Sequence, residues 1–273
     1  MEKSEQEQAT GGSLVVVGSG IKVVGQMTLE AKAHVEQADK VLYVVSETLT
    51  AKWLHRLNPN AESLHVLYGE DKPRRRTYEE MVEAILSEVR RGQRVCAVFY
   101  GHPGVFVNPG LRALAKAREE GYRAYMTPGI STEDCLFVDL ELDPAQAGCQ
   151  SYEATDFLVR PRRYDPTAPL ILWQVGVIGV PGVPGSEPNR DGLAALAERL
   201  LDQYPPDHDV VLYEAAIYPV CDPVIVHTPL HALPEASFHP IATLYVPPME
   251  RLEVDREMVE RLGLEIDSAA DER

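Results

Sequence analysis

Tyr68, the arginine run Arg74-Arg75-Arg76 and Tyr78 lie close together in the chain, and these side-chain types can do proton chemistry. Arginine runs are ordinarily solvated, so a charged helix start beside a core tyrosine is the plain reading. A chemical reading stands next to it. If a helix begins near Pro73, Arg74 and Tyr78 share one face a turn apart; if Thr77 is the cap, they flank its N-terminus. In either case a guanidinium beside a phenol stabilises phenolate. That is expected to lower the tyrosine pKa below its usual value of about 10 and to produce a usable base.

The segment Tyr100-Gly101-His102-Pro103-Gly104-Val105-Phe106 follows an apolar run. A strand ending in two glycines and a proline exposes backbone N–H and C=O groups to a ligand lying across the carboxyl edge of a sheet. An ordinary loop, with His102 solvated or in a core, is the competing reading. Gly18-Ser19-Gly20 also follows an apolar run, yet Val23 stands where a dinucleotide fingerprint needs its third glycine. A tight turn is therefore favoured over a nicotinamide site. The sequence holds no P-loop, HExxH or GxSxG motif, which removes the most recognisable nucleotide-hydrolase, metalloprotease and serine-hydrolase readings.

These segments must be positioned by strands and helices that alternate. Leu14–Val17 reads as a buried strand, Thr28–Ala38 as a helix and Val41–Val45 as the next strand. Thr77 and Glu80 predict a capping box for a helix carrying Met81, Val82, Ile85 and Val89 and stopping at Gly92. Val95–Tyr100 is the strand after it, and Asn108-Pro109 predict an N-cap and N1 proline for a helix closing at Gly121. Tyr122–Thr127 reads as a strand, and Pro128-Gly129-Ile130-Ser131 breaks the chain. Beyond it, Leu170–Val175, Asp209–Ala215 and Ala242–Val246 read as strands and Asp191–Tyr204 as a helix, with Val175–Gly182 a strand end running into a Gly/Pro loop. The fold class is α/β, in two lobes. Residues 1–13 are expected to fray, 14–128 and 129–248 to form an N-terminal and a C-terminal α/β domain, and 249–273 to supply a C-terminal helix and acidic tail.

Composition narrows the partners. The 273 residues are 45% hydrophobic and 25% charged, and 26 Lys and Arg against 42 Asp and Glu give a net charge of −16. Such a surface repels a phosphate backbone, so no nucleic-acid partner is expected. Cys96, Cys135, Cys149 and Cys221 form no CxxC pair, so neither a metal site nor a disulfide framework is indicated and a reducing, cytoplasmic setting is expected. No apolar run approaches the roughly 18–20 residues of a membrane span, and the N-terminal residues have no secretory apolar region.

In this order, Tyr100 to Phe106, Pro128-Gly129-Ile130-Ser131 and Leu172-Trp173-Gln174 resemble the tetrapyrrole methylase superfamily, whose members bind S-adenosylmethionine between two α/β domains. More narrowly, Trp53-Leu54 with Leu57-Asn58-Pro59-Asn60, Arg74-Arg75 with Thr77-Tyr78, and Gln150-Ser151-Tyr152-Glu153-Ala154 resemble the borosin-type peptide backbone α-N-methyltransferases. Asp207-His208 and the run Val210 to Ala215 continue the match, which extends from about Leu14 to Pro248. The resemblance implies an enzyme that methylates backbone amides of a ribosomally made precursor peptide, with S-adenosylmethionine as cofactor and a homodimer as the working form. It implies catalytic roles for Tyr68, Arg74, Tyr78 and Tyr100. It implies a cofactor pocket of Tyr100, His102, Pro103, Gly104, Val105, Phe106, Ser131, Thr132, Gln174, Tyr213, Ala215 and Thr243. Many members are fused to the peptide they modify. Here Leu262-Gly263-Leu264 is followed by an acidic stretch without an apolar core, so the split form with a separate precursor peptide is expected. A methyltransferase of the same superfamily acting on a tetrapyrrole or other small molecule is the nearest alternative, though it would lack the Tyr68, Arg74, Tyr78 set. A nicotinamide oxidoreductase and a non-catalytic peptide-binding module stand further off.

Overall fold

A computed structural model describes residues 11–45, 47–69, 72–160, 162–180, 185–250 and 254–265. The expected fraying of residues 1–10, the Pro181-Gly182 part of the Gly/Pro loop and the acidic tail from residue 266 lie outside the described residues.

The first half alternates strand and helix: β1 (Ser13–Gly18), α1 (Leu29–Gln37), β2 (Lys40–Val44), α2 (Thr48–Leu57), β3 (Ala61–Ser63), α3 (Arg74–Arg90), β4 (Arg94–Phe99), α4 (Asn108–Glu119) and β5 (Arg123–Met126). The strands form one parallel sheet in the order β3-β2-β4-β1-β5. Because helices cover both faces, its central strands are apolar without interruption rather than alternating. Leu14 and Val16 of β1 face Met81, Ile85 and Val89 of α3, while Val15 and Val17 face Ala31 and Val35 of α1.

The second half contains α5 (Thr132–Asp139), α6 (Pro144–Ala147), β6 (Gln150–Glu153), α7 (Ala154–Val159), β7 (Leu170–Trp173), α8 (Arg190–Leu201), β8 (Asp209–Glu214), β9 (Val224–Pro229), β10 (Thr243–Val246) and α9 (Arg256–Leu262). Its strands form a mixed sheet, β6-β7-β10-β8-β9, in which β6 and β7 are parallel and the remaining pairs antiparallel. Leu170, Leu172, Leu212 and Leu244 pack on Leu193, Leu196 and Leu200 of α8. The other face, with Ile171, Trp173, Tyr213 and Tyr245, lies under Cys135 and Leu136 of α5 and reaches Ile21 from the turn after β1.

Two helix starts differ from the sequence reading. The helix expected to be capped at Thr77 begins at Arg74, so Thr77 is inside it and buried, with its hydroxyl unpartnered. Glu80 consequently meets Lys72 and Arg76 instead of a cap backbone. Asn108 is the first residue of α4 and Val107 its cap, which leaves Pro109 in the first turn where its missing N–H is harmless. Gln174, expected inside a strand, takes a left-handed backbone (φ 59°), and a short 3-10 turn follows over Val175–Val177.

Candidate active site

The site begins with two glycine turns at the carboxyl ends of β1 and β4. Gly20 N–H donates to the Gly101 carbonyl (3.2 Å) and Gly101 N–H to the Gly20 carbonyl (3.1 Å). This approach explains the first glycine pair: a Cβ on Gly18 would fall 2.2 Å from the Gly101 oxygen and 2.8 Å from Pro103 Cδ. Gly18-Ser19-Gly20 is thus a packing turn. His102 shapes the second loop, its Nδ1 accepting from Gly104 N–H at 3.0 Å and its carbonyl from Val105 N–H at 3.2 Å.

These loops wall a cavity of about 300 Å³, at the lower end of the range of about 300–1,000 Å³ for small-molecule sites. Tyr100, His102, Val105 and Phe106 line it from the first half, and Ser131 and Thr132 from the start of α5. Gln174, Tyr213, Ala215 and Thr243 line it from the second sheet. Pro103 and Gly104 are not on its wall: Pro103 is buried against the glycines, with a Cβ on Gly129 meeting its Cδ at 2.9 Å. The Ser131 hydroxyl is committed to capping α5, donating to Asp134 Oδ2 at 2.6 Å. Sequence reasoning missed Ile21, Glu133, Trp173, Glu214, Ile217 and Ile241, which also line the cavity.

Two wall residues, Phe106 and Gln174, hold left-handed backbones (φ 55° and 59°) that side chains rarely adopt, a strain that collects at ligand sites. Phe106 meets Trp173 edge to face at 6.2 Å, and Trp173 is fixed by donating its indole N–H to Ser151 Oγ at 2.5 Å. Tyr213 donates its hydroxyl to Asp139 Oδ2 at 2.6 Å; burial and that carboxylate push its phenol well above the ordinary range, so it stays protonated. The charged side chains on the wall are Glu133 and Glu214, with no arginine or lysine among them. The cavity therefore offers aromatic faces to a planar ring and negative charge to a cation.

Tyr68, Arg74 and Tyr78 do not line this cavity. They form a separate group on the same sheet edge. The ring nitrogen Nε2 of His65 meets the carbonyl of Val45 at 2.9 Å, while Tyr100 N–H donates to the neighbouring carbonyl of Val44 at 2.9 Å. Tyr68 packs on His65 (5.7 Å between ring centres) and lies close enough to Tyr78 and Arg74 for both to shift its acidity. Arg75 and Arg76 pair with Glu79 and Glu80, at 3.1 and 3.4 Å, whereas Arg74 has no carboxylate partner among the described residues. The expected lowering of tyrosine acidity is not what Tyr68 shows. Desolvation comes first and Tyr78 next, and together they outweigh Arg74, so the Tyr68 pKa is raised and its phenol is a donor near neutral pH.

Among the described residues no His, Cys, Asp and Glu group is placed to hold a metal ion, and no helix is long and apolar enough to cross a membrane.

Residues 13–234 match the family described as Tetrapyrrole (Corrin/Porphyrin) Methylases. A methyltransferase/ribosomally synthesized cyclic peptide gymnopeptides precursor from Gymnopus fusipes is 45% identical over 268 residues, covering 97% of this chain and 63% of that relative. A methyltransferase/ribosomally synthesized type I borosin cyclic peptide precursor from Coprinopsis marcescibilis is 42% identical over 262 residues, covering 93% of this chain and 67% of that protein. The chain thus spans about two thirds of the length of these relatives. In fold it is similar to the crystal structure of uroporphyrin-III C-methyltransferase from Thermus thermophilus complexed with S-adenosylhomocysteine. The TM-score is 0.58 at 18% identity, over 86% of this chain and 92% of that one. An aromatic, acidic cavity at the carboxyl edge of the first sheet suits a sulfonium cation carrying an adenine. The chain belongs to the tetrapyrrole methylase family.

Proposed function

We propose that the chain α-N-methylates backbone amides of a ribosomally made peptide presented as a separate chain, and that it works as a homodimer. In this reading residues 14–128 and 129–248 are the two units that close on the cofactor. The observation that carries it is the group of Tyr68, Tyr78 and Arg74, the last without a carboxylate partner among the described residues, on the same sheet edge as the cofactor loop. The names of relatives that join a methyltransferase to a peptide precursor support it.

An amide nitrogen is a poor nucleophile because its lone pair is delocalised into the carbonyl, so methylation requires charge to move onto oxygen while the N–H proton leaves. S-adenosylmethionine, when bound, supplies an electrophilic methyl group. Arg74 and the Tyr68 hydroxyl stabilise the imidate oxygen as an oxyanion hole does. Tyr78, as phenolate, takes the amide proton while the methyl group passes from the donor's sulfur, which is left as a neutral thioether, to the nitrogen. Tyr100, on the cavity wall and tied through its N–H to β2, orients the acceptor toward the donor. Holding the two reactants in register contributes roughly 7–11 kcal/mol, which so unreactive a nucleophile needs.

The test incubates the purified chain with S-adenosylmethionine and a separate peptide rich in valine, isoleucine and glycine. Tandem mass spectrometry is expected to find single methyl masses on backbone nitrogens. Methylation of a tetrapyrrole but of no peptide would overturn the reading in favour of a small-molecule enzyme, and peptide binding without transfer would overturn it in favour of a binding module. Sedimentation of an active monomer would remove the homodimer.

A further inference from the structure

At the end of the second sheet away from the cofactor lies a larger recess of about 760 Å³. Phe137 and Leu142 line it near the end of α5, Cys149 just before β6, Pro169 just before β7, and Tyr245 and Pro248 where β10 ends. The cofactor cavity meets the opposite ends of β7 and β10, at Trp173 and Thr243, and the two share no lining residue.

Two independent observations give this recess a chemistry. Its charged lining residues are Glu141, Asp143, Asp165 and Glu250, with no arginine or lysine among them. Asp143 caps α6, accepting from Ala145 N–H at 2.9 Å, and Asp165 accepts from the Thr167 hydroxyl at 2.7 Å and from Thr167 N–H at 2.9 Å, bonds that hold its carboxyl below the usual range. Among the described residues none of the four is paired with a cation. The second observation is Tyr245. The residue is only 7% exposed and lines the recess, and among the described residues its hydroxyl has no hydrogen-bond partner. Tyr213, on the same face of the sheet, shows the ordinary outcome for a buried phenol, a bond to Asp139.

A phenol without a protein partner, in a recess lined by acids, selects its ligand. A polyamine satisfies the carboxylates but brings no acceptor for the phenol, and a free amino acid brings an acceptor whose charge the acids repel. A basic peptide has both a cation and neutral carbonyls. We propose that the recess binds an arginine- or lysine-bearing peptide segment, with the cation among the carboxylates, its alkyl stem on Phe137, Leu142 and Pro248, and a peptide carbonyl accepting from Tyr245. The inference stands on this recess alone and on no assumption about the methyl acceptor.

Fluorescence anisotropy on the full chain, with S-adenosylmethionine present, tests it using a fluorescein-labelled peptide of alternating leucine and arginine and its leucine–glutamine counterpart. The arginine peptide is expected to bind and the glutamine peptide not to. Glu141→Gln with Glu250→Gln, both at the rim, is expected to weaken binding about tenfold, and Tyr245→Phe about fivefold. Equal binding of both peptides overturns the proposal. So does an affinity unchanged in the double variant, which would assign the attraction to the overall charge of −16. Displacement of the peptide by spermidine whose own affinity ignores Tyr245→Phe would overturn it in favour of a small polyamine. Should Tyr245→Phe unfold, the double variant alone decides.

Discussion

The cofactor side and the arginine side of the first sheet's carboxyl edge are built by different means. On the cofactor side the backbone does the positioning: Gly20 and Gly101 exchange hydrogen bonds, Pro103 fills the space left by Gly18 and Gly129, and Phe106 is held in a left-handed conformation. On the other side the backbone only delivers a helix start. Position there depends on side chains, on Tyr68 lying beside Tyr78 and on Glu79 and Glu80 pairing with Arg75 and Arg76 while Arg74 has no carboxylate partner among the described residues. Backbone geometry tolerates few residue changes but transmits strain widely; side-chain geometry tolerates many changes but localises its chemistry in one or two groups. The first kind of site is broken by adding an atom and the second by removing one.

The largest effect is expected at Gly18. Gly18→Ala places a methyl 2.2 Å from the Gly101 oxygen, so the loops must part. A loss of about 3 kcal/mol or more is expected, at or above the top of the range for overpacked sites, together with loss of S-adenosylmethionine binding in calorimetry. Native-like cofactor affinity in this variant would show that the loop pair is not what shapes the cavity. Next is Arg74→Ala, which should slow peptide methylation by about 2.7–4 kcal/mol in barrier while cofactor affinity stays within about twofold. Arg75→Ala, removing an exposed ion pair, should change neither. Equal losses at both positions would erase the distinction drawn between them. Smaller again is Tyr213→Phe, which leaves the Asp139 carboxylate without its donor at the end of α5, where the helix dipole already disfavours negative charge. A loss of about 1–3 kcal/mol is expected in thermal unfolding, with only modest weakening of the cofactor. Unchanged stability would mean Asp139 finds another donor.

The same contrast explains what could be read from the chain. Strands of both sheets are legible because buried strands such as Val-Val-Val in β1 and Leu-Ile-Leu-Trp in β7 are short apolar runs closed by glycine or a turn. The short edge strands β3 and β6, with one neighbour each, carry mostly polar residues and give no such signal. Glycine and proline mark the cofactor loop for the same steric reasons that fix it. Trp173, Glu214 and Ile241 are set on the cavity by pairing between distant strands, which no local pattern encodes. The Thr77–Glu80 pattern misled because Thr77 can cap a helix or fill a core, and burial among apolar neighbours decided for the core. Glu80, drawn to Lys72 and Arg76, has no cap to serve.

Tyr68 is where the comparison is sharpest, because the sequence reading and the structure assign opposite signs to its acidity. A phenol beside a guanidinium was a candidate base, but desolvation and Tyr78 raise its pKa above the ordinary 10.0 despite Arg74. In the proposed reaction a protonated Tyr68 donates to the imidate oxygen, and that donor is fully present below a pH of about 10 and is lost as the pH rises through the raised value. Methylation should therefore keep its dependence on Tyr68 across neutral pH and fall on the alkaline side. Tyr68→Phe should be slower by about tenfold below that limb and should lack it, since the donor whose loss produces the limb is gone. A base in the same place behaves in reverse: the wild-type rate would climb with pH as phenolate accumulates, and Tyr68→Phe would flatten the climb. Because Tyr78 also titrates in the proposed reaction, it is the difference between the wild-type and Tyr68→Phe profiles above neutrality that decides whether burial or the neighbouring charge governs Tyr68.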